Sequence, residues 1–148
     1  MTVEQALDRL ETSKFRAGFH LTEKEKAILE EKGMDVMRRH AEDFVRMKLA
    51  PSEPLNDGRQ TPMHGHPVFK AMHGTACCCR GCLEKWYHVP RHRVLTEEEQ
   101  RRIVELLLAW IRRHGGTRKR ESAATEDFTR RQERDGRNQV EENGLYGR

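Results

Sequence analysis

The fold is decided by residues 96–116, TEEEQRRIVELLLAWIRRHGG, which predict the clearest helix of the chain. Thr96 and Glu99 match a capping box, in which a hydroxyl and a carboxylate bind otherwise unpaired backbone amides at a helix start. Apolar residues then recur at helical spacing, at Ile103, Val104, Leu106, Leu107, Leu108, Trp110 and Ile111. Because Gly115 and Gly116 follow this pattern, we expect the helix to stop there.

Weaker helical patterns occupy the chain on the N-terminal side of this helix. Thr22 and Glu25 match a second capping box, which opens a helix expected to stop at Gly33, and Pro51 ends the next one. The expected helical segments are residues 3–10, 22–33, 35–49, 66–73 and 80–87. No segment has the alternation of a strand, so the predicted class is mainly α.

Length and composition indicate one small helical domain followed by a tail. The chain has 148 residues, of which 35% are hydrophobic and 35% charged, and its mean hydropathy is -0.93. We expect a helical domain over residues 1–115 and a charged, flexible tail over residues 116–148, which has few apolar residues to offset the entropy of ordering. No apolar run reaches the roughly 18 residues of a membrane span, and no secretory signal is visible. The expected location is therefore the cytoplasm.

Positive charge is concentrated in the middle segment, residues 56–93. The formal net charge is +4, and this segment holds the whole excess, with six basic residues against two acidic ones. A basic region can meet an acidic partner such as nucleic acid, and a solvated basic surface is the alternative. The candidate phosphate-binding residues are Arg59, Lys70, Arg80, Lys85, Arg91 and Arg93.

The same segment holds five of the eight histidines and all four cysteines, the latter within six positions. Such crowding is not typical of a disulfide framework, whose cysteines are spread along the chain to close loops. The C-x-x-C at Cys79 and Cys82 can turn two thiolates towards one tetrahedral ion, with Gly81 relaxing the backbone at the bend. Zinc is the expected metal, because it accepts mixed thiolate and imidazole ligands. The expected ligands are His66, His73, Cys79 and Cys82, with Cys78 and His88 as substitutes.

Several strings of the sequence carry a resemblance to a known family. They are SKFR at 13–16, FHL at 19–21, RRHAEDF at 38–44, NDG at 56–58, QTPM at 60–63, HPVF at 66–69 and CCRGCLEKW at 78–86. Through them the chain resembles an uncharacterised bacterial family, domain of unknown function 4186, over roughly residues 1–114. The family pattern has a histidine directly after Trp86, where this chain has Tyr87 and then His88. This shift favours His66 and His73 as ligands, and the resemblance implies no activity.

Three hypotheses of function follow from these patterns. The first is a zinc-containing protein that binds nucleic acid through its basic middle segment, with an affinity that falls steeply as salt increases. The second is an enzyme with a catalytic metal or thiol, in which Asp57, His66 or His73 supplies acid–base chemistry. The third is a protein-interaction module whose tail folds on a partner. Two readings without a metal also stay open: thiols that only pack, and a redox or nucleophilic cysteine.

Overall fold

A computed structural model describes residues 1–115 of the chain, which form helices and connecting loops without a strand. The elements are α1 Val3–Glu11, α2 Lys14–Ala17, α3 Glu23–Phe44, a π-helical segment Val45–Leu49 that continues α3, α4 Pro67–Gly74, α5 Arg80–Tyr87 and α6 Glu97–His114. The predicted mainly α class is therefore confirmed. The expected tail lies outside the described residues. None of the helices within residues 1–115 combines the length and the apolar surface that crossing a membrane requires.

Side-chain caps set the starts of the longer helices. The capping boxes expected at Thr22 and Thr96 are both present, and Thr2 forms a third one at the start of α1. The break expected at Gly33 is present. This residue leaves helical geometry (φ 82°, ψ 170°), a conformation that glycine adopts without steric cost, and a second helical segment follows it. α3 therefore consists of two helical segments joined at a kink.

The core is built around α6, which packs against α1, α3 and α4. Its apolar stripe is buried, with Leu107 and Ile111 fully inaccessible to solvent. α4 approaches α6 closely at Gly74, where a Cβ atom would lie 2.5 Å from Nε1 of Trp110. The C-terminus of α4 is thereby fixed against the central helix, and the cysteines follow directly after it.

Candidate metal centre

The cysteines lie on and just after a tight turn between α4 and α5. The Thr75 hydroxyl donates a hydrogen bond back into the last turn of α4 at 2.8 Å. Ala76 then takes a left-handed backbone conformation (φ 60°), which reverses the chain. After the turn, the carbonyl of Cys78 accepts a hydrogen bond at 2.8 Å from the hydroxyl of Thr61, which lies in the loop before α4. Hydrogen bonds on both sides of the turn therefore fix the positions of the thiols.

Three of the four sulfur atoms converge at this point. Among the described residues, the Sγ atoms of Cys78, Cys79 and Cys82 all lie within 4.8 Å of one another, and we call these three residues the cysteine cluster. The Sγ atoms of Cys78 and Cys82 are 3.6 Å apart. Zn–S bonds of about 2.3 Å in tetrahedral geometry would separate two sulfurs by about 3.8 Å. The spacing therefore fits one tetrahedral metal ion.

A buried arginine lies against the cysteine cluster. Arg16 of α2 is 9% exposed, and its guanidinium donates to Sγ of Cys82 at 3.2 Å and approaches Sγ of Cys78 at 3.8 Å. It also donates to the carbonyl of His73 at 2.8 Å, which ties α2 to α4. Burial lowers the pKa of Arg16, but the charges and hydrogen bonds of the two cysteines outweigh it, and the pKa is raised overall. A fixed positive charge thus faces the sulfur atoms.

The pKa values of two thiols of the cysteine cluster, those of Cys78 and Cys79, are raised. The hydrogen bond with Cys79 raises the pKa of Cys78, and burial adds to this effect, although Cys82 and Arg16 act in the opposite direction. The hydrogen bond with Cys78 lowers the pKa of Cys79, but the bond with Cys82 and burial outweigh it, so this pKa is also raised. Metals bind the thiolate form, and a divalent cation would offset the repulsion between neighbouring thiolates.

Cys77 is the one cysteine that does not join the cluster. Its side chain is fully buried, and its Sγ lies 3.6 Å from the carbonyl oxygen of Thr75. Burial raises the pKa of the Cys77 thiol to about 12, so it stays protonated at neutral pH. Cys77 therefore acts as a small apolar side chain at the base of the turn.

The first turn of α5 receives two acceptors from outside the helix. Sγ of Cys79, the N-cap residue, accepts a hydrogen bond from the Cys82 amide at 3.4 Å. Oδ1 of Asp57 accepts from the Arg80 amide at 3.2 Å, and Oδ2 pairs with Arg91 at 3.0 Å. Burial raises the pKa of Asp57, but hydrogen bonds from Gln60, Arg80 and Arg91 outweigh it and lower the pKa. Asp57 is therefore an ionised residue that holds the loop against the start of α5.

One family is similar to this chain over the whole segment that carries these features. The sequence model of a domain of unknown function, DUF4186, matches residues 4–112 of the 148. The chain belongs to the DUF4186 family. No solved structure matches the chain. The family expected from the sequence is thus confirmed, and it brings no described activity to the DUF4186 domain.

In this DUF4186 domain, His66 is the N-cap of α4. The Val68 amide donates to Nδ1 of His66 at 3.0 Å, so Nδ1 carries no proton. The proton of the neutral ring is then on Nε2, which lies 2.7 Å from Nδ1 of His40. Burial, followed by the charge of His40, lowers the pKa of His66 to about 3. Both nitrogens have partners within the fold, and a metal-ligand role for His66 stays a prediction.

The two other candidate histidines also have their own partners. Nε2 of His73 lies 3.1 Å from the carbonyl oxygen of Thr61, and its ring stacks on Phe19 with centroids 5.6 Å apart. The backbone carbonyl of His73 accepts a hydrogen bond from Arg16, the same residue that contacts the cysteine cluster. The imidazole of His73 is not among the ligand atoms that converge with the three sulfurs. His88 is the left-handed C-cap of α5, about 9 Å along this helix from Cys82. Ligand roles for these histidines stay predictions.

Two of the six basic candidates are buried in the DUF4186 domain. Lys70 is 5% exposed, and its Nζ lies 2.9 Å from Nδ1 of His64 and 3.8 Å from the buried carboxylate of Glu25. Arg80 is 1% exposed. Its guanidinium donates to three backbone carbonyls, those of Leu49, Pro51 and Pro90, at 2.7–3.1 Å. These two side chains hold loops together inside the fold and do not face solvent.

The other four basic candidates are at the surface, in two different situations. Arg91 pairs with Asp57, and Arg93 forms two hydrogen bonds with Glu99 at 2.8 and 2.6 Å. Arg59 and Lys85 are exposed. The structure therefore does not gather the six residues into one basic face.

Sequence reasoning missed Arg16. The signal that was available is a charged residue within an apolar cluster, since Phe15, Ala17 and Phe19 surround it in the sequence. A charged side chain in such a setting needs a buried partner. Its partners lie 57 to 66 residues further along the chain, and no local pattern indicates them.

Proposed function

We propose that this DUF4186 domain binds one zinc ion at Cys78, Cys79 and Cys82, and that the ion stabilises the turn between α4 and α5. The observation that carries the proposal is the convergence of three sulfur atoms within 4.8 Å of one another. Thiolates are ligands that zinc takes in structural sites. Three thiolates and one Zn²⁺ have a net charge of −1, and the adjacent guanidinium of Arg16 offsets it.

A metal at this position would connect three parts of the fold. Cys79 caps α5, Cys82 lies in its first turn, and Cys78 is held to the loop before α4 through Thr61. Arg16 adds α2 to this group. Because an ion that binds only the folded state stabilises it by mass action, metal removal is expected to lower the melting temperature.

The direct test is elemental analysis of the full chain purified without a metal-affinity tag. About one zinc per chain is expected, together with its loss and a lower melting temperature in Cys78→Ser, Cys79→Ser and Cys82→Ser. Cys77→Ser is the matched control, because it makes the same atomic change at a cysteine outside the cluster. A wild-type chain without metal, or a control that loses zinc as completely as the three variants, would contradict the proposal.

The role of Arg16 can be separated from that of the ligands. Arg16→Met removes the positive charge and keeps a long apolar side chain, while Arg16→Lys keeps the charge. We expect zinc affinity to fall by about 10- to 100-fold in Arg16→Met, the range for residues that support metal ligands. The lysine variant should recover part of the loss. Equal affinity in all three proteins would remove Arg16 from the site.

A second candidate function is metal-dependent catalysis, and the number of donors favours it. Catalytic zinc sites have three protein ligands and one exchangeable position, whereas structural sites have four. The described residues place three ligand atoms together, and neither His66 nor His73 is among them. Cobalt substitution distinguishes the two cases. A cobalt spectrum that changes on addition of imidazole, and that is unaltered in His73→Gln, would indicate an exchangeable position.

Nucleic-acid binding and capture of a protein partner have less support. Of the six candidate phosphate-binding residues, Lys70 and Arg80 are buried and Arg91 and Arg93 form ion pairs, which leaves Arg59 and Lys85 exposed and outside ion pairs. A salt-dependent affinity for generic DNA or RNA that falls in the Arg59→Gln, Lys85→Gln double variant would favour the nucleic-acid hypothesis. The partner hypothesis concerns residues 116–148, outside the described part of the chain, and stays a prediction.

A further inference from the structure

A cleft of about 700 Å³ lies between α1, α5 and α6, on a part of the domain that contains none of the three cluster cysteines. Its walls are largely apolar, with Val3 and Ala6 from α1, Leu83 and Trp86 from α5, and Ile103 from α6. α5 is held by the backbone contacts of Arg80, by the fully buried side chain of Leu83 and by the hydrogen bond from the Tyr87 hydroxyl to the Thr75 carbonyl. The cleft volume is within the range of small-molecule sites.

The two carboxylates that line this cleft are paired with arginines. Glu99 pairs with Arg93 through both oxygens, and this pair holds the pKa of Glu99 at about 2. Glu105 pairs with Arg38, with N–O distances of 2.5 and 3.4 Å. Neither carboxylate is therefore free to pair with another arginine of the cleft.

Three other arginines line the same cleft, Arg9, Arg101 and Arg102, and none has a carboxylate partner among the described residues. Arg9 lies over the ring of Trp86, with its Cζ 5.0 Å from the centroid, and donates to the Trp86 carbonyl at 2.7 Å. This guanidinium is held in place at the apolar wall, and it keeps donors that the carbonyl does not use. The lining of the cleft thus combines apolar side chains with three arginines that have no carboxylate partner among the described residues.

We propose that this cleft binds a small amphipathic anion, a molecule with an acyl or aryl body and one terminal carboxylate. The body would cover the partly exposed Trp86 and Val3, and the carboxylate would accept hydrogen bonds from Arg9, Arg101 or Arg102. Charge complementarity selects an anion over a neutral or cationic molecule of the same length. This site is separate from the proposed zinc site and does not depend on it.

The test is calorimetric titration of the full chain with decanoate below its micelle concentration, and with decanol and decyltrimethylammonium as neutral and cationic analogues. We expect decanoate to bind one molecule per chain and the cation not to bind. The double variant Arg101→Gln, Arg102→Gln should weaken decanoate at least about tenfold, since hydrogen bonds to charged groups are the stronger class. Arg59→Gln, an exposed arginine outside the cleft, is the matched control and should leave the affinity unchanged.

A second variant tests the apolar part of the cleft. Val3→Trp places a large ring in the cleft and should abolish decanoate binding, while the melting temperature shows whether the variant is folded. Absence of decanoate binding to the wild type, or binding of the cation as tight as that of decanoate, would overturn the proposal. So would a dimer of the wild type that Val3→Trp dissociates in sedimentation velocity, because the cleft would then hold a second copy of the chain.

Discussion

The structure assigns Arg80 a role in stability, and Arg80→Met tests this assignment. Methionine has a similar length and apolar character along the stem, so the substitution removes the guanidinium without opening a large cavity. The sequence offers Arg80 as a phosphate-binding residue. The structure instead places it at 1% exposure, where it joins the end of the π-helical segment to the loop after α5.

The expected loss of stability follows from the three carbonyls that the guanidinium binds. A hydrogen bond to a charged group contributes about 1.5–3 kcal/mol, so three set an upper figure of about 5–9 kcal/mol. Leu49 is fully buried, and its carbonyl would remain unpaired, whereas Pro51 is half-buried and Pro90 exposed, so water can reach their carbonyls. We therefore expect the free energy of unfolding to fall by about 3–5 kcal/mol. This is a large share of the stability of a small domain.

Urea unfolding at 25 °C, followed by circular dichroism, measures this quantity. Arg59→Met is the control, since Arg59 is exposed and its replacement should change the free energy of unfolding by less than about 0.5 kcal/mol. Arg80→Lys should fall between the wild type and Arg80→Met, because one ammonium cannot reach all three carbonyls. A loss of unfolding free energy below about 1 kcal/mol in Arg80→Met would refute the structural role assigned to Arg80.

Two further predictions concern helix packing and pH. Gly74→Ala should destabilise the domain by about 1–3 kcal/mol, because its Cβ would lie 2.5 Å from Trp110. Gly81 lies within α5, and a Cβ atom there would be 3.8 Å from its nearest neighbour, Arg91. Gly81→Ala should therefore be neutral or stabilising by up to about 1 kcal/mol in the same assay. The folded pKa of His66 is about 3, so between pH 6.5 and 3 the unfolded state binds its proton more readily. Stability should therefore fall with decreasing pH over this window, by at most about 1.4 kcal/mol per pH unit, and the dependence should be flatter by about one proton in His66→Gln.

Much of the fold follows from local patterns. The capping boxes at Thr22 and Thr96 each predict a helix start, and both are observed, because a cap is satisfied by residues only three positions apart. The short helix α2 was not predicted, since four residues are too few for a periodic pattern. The break at Gly33 is also a local feature. Glycine takes a positive φ without steric cost, and the two helical segments expected on either side of it are observed.

The expectation for Gly81 was wrong. The glycine of the C-x-x-C was expected to relax a bend between the two thiols, yet it lies inside α5 without a positive φ. The reversal of the chain takes place earlier, at Ala76, which has φ 60°. Sequence patterns assign conformational freedom to glycine by default, and here the hydrogen bonds of the surrounding turn impose that conformation on an alanine.

Only the part of the candidate metal centre that is formed by residues close in sequence was predictable. Cys79 and Cys82 are brought together by three residues of chain, and any helix start at this point would do so. The choice between Cys78 and a histidine as the third donor depends on the direction of the turn after α4, which is fixed by Thr61. Arg16 depends on the docking of α2, more than sixty residues away. The positive charge that would balance three thiolates in the proposed zinc site is therefore a tertiary property, and substitution of Arg16 tests it while leaving every sulfur in place.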